Sequence, residues 1–368
     1  MASPIFTSHR NLSNANTGSA DTGSASVLVR NASLDAHSCW RFALMCGRGR
    51  PRSQYPRSQY SALPVFLGPS MKNKPLIRIG PAGWSYKDWE GVVYPQKPGA
   101  RFDPLEYLSR FFDTIEINSS FYRSPTAKTA RSWAQRIAGN PQFNFTAKLH
   151  RIFTHERGKA TDVDEKEFRD GIEPLADANR LGAVLLQFPW SFKNTEDERA
   201  YLLTLLDKFK EYPPVLEVRH TSWNNPQIVD WLEERDVGIC NLDQPLFKKS
   251  IKPAALTTST IGYVRLHGRN YKDWFRESAP RDDRYNYLYS LDELDPWITR
   301  IKEVAKQTHE TYVVTNNHFR GQAVVNALEI KSTLEERVVP APGPLFDVYP
   351  RLKDSAQGES APETPMLF

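Results

Sequence analysis

Seven polar residues occupy positions from which they could act together: Glu116, Asn118, Lys148, Glu217, Arg219, Arg265 and His267. Each alternates with aliphatic neighbours in a short run, as Glu116 and Asn118 do in TIEIN at 114–118. Lys148, Arg219 and Arg265 converging on one site would bind phosphate or carboxylate, the guanidiniums through paired N–H donors. Glu116 or Glu217 could then serve as general base and His267 as acid. A metal reading draws on Glu116, His150, Glu217, Asp243 and His267, a mixed nitrogen and oxygen set. Three nearby cations would repel a divalent ion, so a metal cofactor is not favoured and no ligand to one is assigned. Two carboxylates alone could also hydrolyse a glycoside, if Glu116 and Glu217 stood at a suitable separation.

A barrel would bring these residues together. From residue 75 the chain alternates short apolar runs with helical stretches: Ile77–Gly80, the run from Thr114, Phe143–Leu149, Ala183–Phe188, Pro214–His220, Val237–Leu242, Ile261–Gly268 and Thr311–Asn317. Helix starts are marked by Asp103-Pro104, Ser124-Pro125, Thr195 with Glu198 three residues on, and Asn225-Pro226. The stretch 243–260 is poorly helical, and 269–290 reads as a long loop. Eight strands with helical crossovers over about 260 residues match the usual size of a closed parallel (β/α)8 barrel. A doubly wound open sheet is the alternative, but no Gly-x-Gly-x-x-Gly follows the first strand. The α/β TIM-barrel domain is expected over 75–350, with a disordered extension at 1–74 and a tail at 351–368.

Helices cover the outside of such a barrel, so the aliphatic parity of each strand should face out and the other parity in. That rule turns inward Arg78; Thr114, Glu116, Asn118; Asn144, Thr146, Lys148, His150; Gln187; Glu217, Arg219; Asn241, Asp243; Arg265, His267; and Thr315, Asn317. Cys240 takes the outward parity and reads as packing. Residues early in their strands, such as Arg78, Thr114 and Asn144, read as parts of an ion-pair lattice. Those at the C-terminal mouth read as the site, because barrel enzymes keep their chemistry there. Loops at the same end carry Trp84, Tyr86, Trp89, Phe121, Tyr122, Trp190, Trp223, Tyr271 and Trp274, a rim able to stack bases or sugars or to build small loop cores. Of these, Trp84 and Tyr122 are the expected ligand contacts. The ending Asn316-Asn317-His318 could donate hydrogen bonds to a ligand or cap the last helix, with Asn317 the expected ligand contact. His155 could cap its loop or act.

Charge is uneven along the 368 residues, whose formal net is +5. Residues 1–74 hold nine Lys and Arg against Asp21 and Asp35, leaving 39 bases and 41 acids elsewhere. The globular part therefore lacks the basic surplus of a nonspecific nucleic-acid binder. Cys39, Cys46 and Cys240 form no C-x-x-C pair, which favours a reducing, cytoplasmic setting. No run of 18 apolar residues argues for a membrane span. Segment 1–74 is Ser/Arg-rich and repeats PRSQY at 51–55 and 56–60; that composition leaves organellar import open, and Met71 offers another start. At the other end, TPMLF at 364–368 faintly resembles peptides that dock sliding clamps, without their leading Gln.

The motifs themselves carry a family likeness. GPAGWSYKDWEGVVYP (80–95), FDTIEINSSFYRSP (112–125), FNFTAKLHRIFTH (143–155), LLQFPWSF (185–192), LEVRHTSW (216–223), YVRLHGRNYKDW (263–274) and NNHFRGQAVVNA (316–327) resemble, in order, those of the YecE-like family, a domain of unknown function. The likeness covers 76–350 and implies a TIM barrel; it implies no catalytic role, because no activity is established for the family. A kinship with barrel endonucleases acting at abasic sites is fold-level analogy, and the cations here depart from their metal-rich sites. The expectation is a hydrolase or lyase acting on a phosphate-bearing, nucleotide-like substrate or a nucleic-acid fragment. The alternative is a protein that binds such an anion without turnover.

Overall fold

The computed structural model describes residues 75–274, 276 and 281–359. The expected extension at 1–74 and the TPMLF motif lie outside them. Strands and helices follow in order: β1 (Leu76–Pro81), α1 (Pro104–Leu108), β2 (Thr114–Ile117), α2 (Ala127–Arg136), β3 (Asn144–Lys148), α3 (Arg151–Thr154) and α4 (Asp162–Asp177). Next come β4 (Leu181–Gln187), α5 (Glu196–Lys208), β5 (Pro214–Glu217), α6 (Pro226–Glu233), β6 (Gly238–Asp243), β7 (Ile261–Leu266), α7 (Leu291–Ala305), β8 (Glu310–Thr315) and α8 (Gln322–Glu335).

Local chemistry sets the helix starts. Asp103 accepts the N–H groups of Leu105 and Glu106 ahead of Pro104, Thr195 caps α5, and Asn225 caps α6 ahead of Pro226. Thr126, rather than the expected Ser124, caps α2. No helix among the described residues is long and apolar enough to cross a membrane.

The eight strands are parallel, in the order β1-β8-β7-β6-β5-β4-β3-β2. The ring is completed where β1 meets β2: Asp113 N donates to Ile79 O at 3.3 Å, Gly83 N donates to Glu116 O at 2.9 Å, and Ala82 bridges Glu116. Gly80 permits this seam, since a Cβ there would lie 1.8 Å from the Thr114 carbonyl oxygen. This is an α/β TIM-type barrel. Within the span expected as a tail, Ala356–Glu359 pair in parallel with Val339–Pro342.

Strand register decides which side chains enter the barrel, since directly paired residues share a face. Glu116 pairs with Thr146, Gln187 with Glu217, and Tyr263 with Cys240 and Tyr312. Parity therefore agrees with expectation on β2, β3, β4, β5 and β7, and differs on β6 and β8. Cys240 and Leu242 face inward, while Asn241 and Asp243 face out. The cause is the crossover after β6, which is irregular rather than helical. Its backbone needs polar partners, and Asn241 supplies both, donating to Leu256 O and accepting from Leu256 N at 2.8 Å each. Asp243 meets Arg269 and Tyr289 instead.

On β8 the consecutive Val313 and Val314 make either parity look aliphatic. Thr315 faces out, donating to the Ala323 carbonyl at the start of α8. Asn317 lies under the same helix, donating to Tyr287 O and Asn326 Oδ1 at 2.8 Å each. It is not at the mouth.

Candidate functional site at the barrel mouth

Where most such barrels stack branched aliphatic residues, this one buries charge. At the N-terminal end Arg78 pairs with Glu310, which also accepts from Tyr312. Gly182 makes room for that ring, as a Cβ would lie 1.8 Å from the Tyr312 hydroxyl. One layer up, Tyr263 bonds Glu116 at 3.0 Å and Thr146 at 2.8 Å.

The next layer is a closed ionic lattice centred on Arg265, which is fully buried along with both its partners. Its guanidinium donates to Glu116 at 2.6 Å, to Glu217, and to Gln187 at 3.1 Å. Glu217 also accepts from Arg219 at 2.6 Å and lies 3.3 Å from His267 Nε2. Burial works most strongly against the Glu217 carboxylate. Arg265, Arg219 and then His267 prevail and hold its carboxyl well below the usual range.

His267 is opposed first by burial and is pushed down to about 3, so the ring is neutral near pH 7. Its Nδ1 lies 3.0 Å from Asn316 Nδ2, and its Nε2 faces Glu217 at 3.3 Å and the guanidiniums of Arg265 at 3.3 Å and Arg219 at 3.4 Å. A neutral imidazole tied at both nitrogens is poorly suited to the acid role. Glu116 and Glu217, with one guanidinium between them, are poorly suited to base or glycosidase roles.

Lys148 stands apart from the lattice. It is 6% exposed, and its ammonium donates to Asn118 Oδ1 at 3.2 Å and sits 4.3 Å from the centre of the Phe121 ring. No ion pair to it occurs among the described residues. Burial lowers it most, Arg265 next and Arg219 less, against Glu116 and Glu217, and the group falls to about 7.

Lys148 opens on a cavity of about 420 Å³, a size suited to a small molecule. Trp84, Tyr86, Tyr122, Trp133 and Tyr285 supply aromatic wall, and Asn118, Ser119, Asn316 and His318 the polar part.

Of the expected ligand contacts, Trp84, Tyr122, Asn118 and Lys148 line this cavity, while Arg219 and Arg265 join the expected catalytic residues Glu116, Glu217 and His267 in the lattice beside it. Asn317 joins neither. Asn316, one residue earlier, takes the place expected of it, with Oδ1 buried and without a donor. Trp133 could not have been singled out, since on α2 it reads as core. Among the rim aromatics, Trp89 and Trp223 are buried in loop cores, donating to His318 O at 2.7 Å and Phe192 O at 3.0 Å. The metal set does not converge: Asp243 faces out, and His150 accepts the Ile152 N–H as cap of α3. His155, at the other end of α3, bonds Thr154 and packs edge-on against Phe121.

Fold and site together define a TIM-type barrel with an ionic interior and an aromatic-walled mouth. The chain belongs to the family described as "Protein of unknown function DUF72", whose pattern matches residues 78–345. It is similar to UPF0759 protein YunF of Bacillus subtilis, at 28% identity over 275 residues, covering 71% of this chain and 95% of that protein. UPF0759 protein YecE of Escherichia coli K12 is 25% identical over 200 residues, covering 54% of this chain and 65% of that protein. The crystal structure of a DUF72 family protein from Thermotoga maritima superposes with a TM-score of 0.62 at 34% identity, covering 71% of this chain and 99% of that one. A second, from Enterococcus faecalis, gives 0.62 at 22% identity, covering 71% and 96%, and speaks to fold alone.

Proposed function

We propose that the mouth is an enzyme site for a small, flat ligand carrying a phosphate or similar anion, nucleotide-like in its chemistry. Lys148 is the group at which a hydrolase or lyase reaction runs. The observation carrying this reading is a buried primary amine in a cavity wall, held among the described residues by one amide oxygen and by no carboxylate. Aromatic faces on the same wall suit stacking. With Lys148 protonated, its charge and those of Arg219 and Arg265 exceed those of Glu116 and Glu217 by one, which favours an anion.

One observation favours binding without turnover: both carboxylates are engaged in the lattice, which leaves neither free to act as general base. A panel of phosphomonoesters, phosphodiesters and nucleotides, assayed for turnover with and without added divalent metal and for binding by calorimetry, separates the readings. Turnover that Lys148→Met abolishes supports the enzyme. Binding without turnover, lost in the same variant, supports the binding protein. Binding indifferent to Lys148→Met would sink both.

A further inference from the structure

We infer that Lys148 is an imine-forming nucleophile, whose side-chain amine condenses with the carbonyl of a small aldehyde or ketone that also carries the anion. This rests on the function proposed above and names the reactive group of the ligand. Anion binding alone does not explain the site, as a second buried lysine, Lys331, makes clear.

Lys331 is 7% exposed, nearly as buried as Lys148. Its ammonium is paired with Asp113 at 2.8 Å, lies 3.8 Å from Glu335 and donates to Phe111 O at 3.1 Å. That is the arrangement of a lysine kept charged for structure. Lys148 has one neutral acceptor, Asn118, and among the described residues two of its three N–H groups lack a protein acceptor. A buried ammonium left this way is unstable relative to the amine, and the amine is the nucleophile.

The groups around Lys148 act in the same direction on balance. Burial, Arg265 on β7 and Arg219 after β5 favour the neutral form, against Glu116 on β2 and Glu217 on β5, and the group titrates at about 7. His155, beyond α3, is itself pushed down to about 4, by burial first and then by Lys148, and is neutral where Lys148 titrates. His267 is neutral there too. The Phe121 face and the Asn118 Oδ1 acceptor work the other way, with the two carboxylates, and favour the cation.

The chemistry balances without a further reagent. The amine lone pair forms the C–N bond while the carbonyl π pair moves to oxygen. Both amine hydrogens then leave with that oxygen as water, and C=N remains. Asn118 Oδ1, already an acceptor from Nζ, orients the amine.

The test uses pyridoxal 5′-phosphate as a probe, because it combines a flat ring, a phosphate and an aldehyde; no role as resident cofactor is implied. The full chain is incubated with the probe and cyanoborohydride, and labelled lysines are mapped by mass spectrometry. Pyridoxine 5′-phosphate, which lacks the aldehyde, is measured in parallel by calorimetry. The expected result is labelling concentrated on Lys148, rising as pH is raised through about 7, with Lys331 unlabelled. Lys148→Arg should keep pyridoxine 5′-phosphate binding and lose the label, because the charge survives and the amine does not. An unlabelled Lys148 with pyridoxine 5′-phosphate bound overturns the imine and leaves the anion site standing. Binding of neither probe overturns both. The wild-type labelling map decides even where the variant fails to fold.

Discussion

Arg265 on β7 and Lys148 on β3 stand across one barrel mouth, both buried, and differ in what surrounds them. Arg265 reaches two carboxylates and an amide oxygen, so its charge is matched on the spot. Lys148 reaches one amide oxygen and an aromatic face beside an empty volume. Polar residues pointing into a barrel are therefore not by themselves a functional signal. A closed set of partners marks a lattice that holds the strands together, and an unmatched group beside a cavity marks a place for a ligand.

The sharpest way to break this distinction is to remove the centre of the lattice. Arg265→Met leaves Glu116 and Glu217 buried without their guanidinium, and loss of one partner from a buried ionic set costs about 3–5 kcal/mol. Urea denaturation should show a stability loss of that order. Combining it with Glu116→Gln and Glu217→Gln should recover a large part, because the uncompensated charge goes with them. A single variant as stable as wild type would show that the lattice is not a lattice.

Lys148→Met should act in the other sense, abolishing ligand binding with little loss of stability at neutral pH. Its signature is in the pH dependence. The folded group titrates at about 7, against an unfolded value near about 10.4. Between these values the unfolded chain holds the proton and the folded chain does not, so this residue's contribution to stability rises with pH from 7 to 10. The wild-type curve minus the Lys148→Met curve should have a positive slope, of roughly 1.4 kcal/mol per pH unit at most. A flat difference would mean that the amine stays charged, like a lysine in a lattice.

How far the sequence reveals this contrast depends on the element. All eight strands were legible because turn and capping residues bracket each apolar run, and Asp103, Thr195 and Asn225 cap the expected helices. Whether a group is matched or free was not legible, since Glu217 and Lys148 look alike as polar residues late in a strand. Their partners come from strands distant in sequence. Parity failed where a local cue was ambiguous: at Val313-Val314, and on β6, where Asn241 serves an irregular crossover.

That failure supplies the smallest and most specific prediction, because Asn316 and Asn317 are adjacent, identical and point to opposite sides just after β8 ends. Asn317 donates to Tyr287 O and Asn326 Oδ1 beneath α8. Asn317→Ala strips buried acceptors of their donor and should lower stability by about 1–3 kcal/mol while leaving ligand affinity unchanged. Asn316 and Asn317 each leave a buried Oδ1 without a donor among the described residues, but Asn316 lines the cavity, where its Nδ2 lies 3.0 Å from His267 Nδ1. Asn316→Ala should therefore weaken binding of a cavity ligand more than it lowers stability. Calorimetry and denaturation on the two variants read both quantities. If Asn317→Ala weakened binding and Asn316→Ala did not, the face of β8 that meets the ligand would be the one the alternation rule chose, and the site would have to be rebuilt around it.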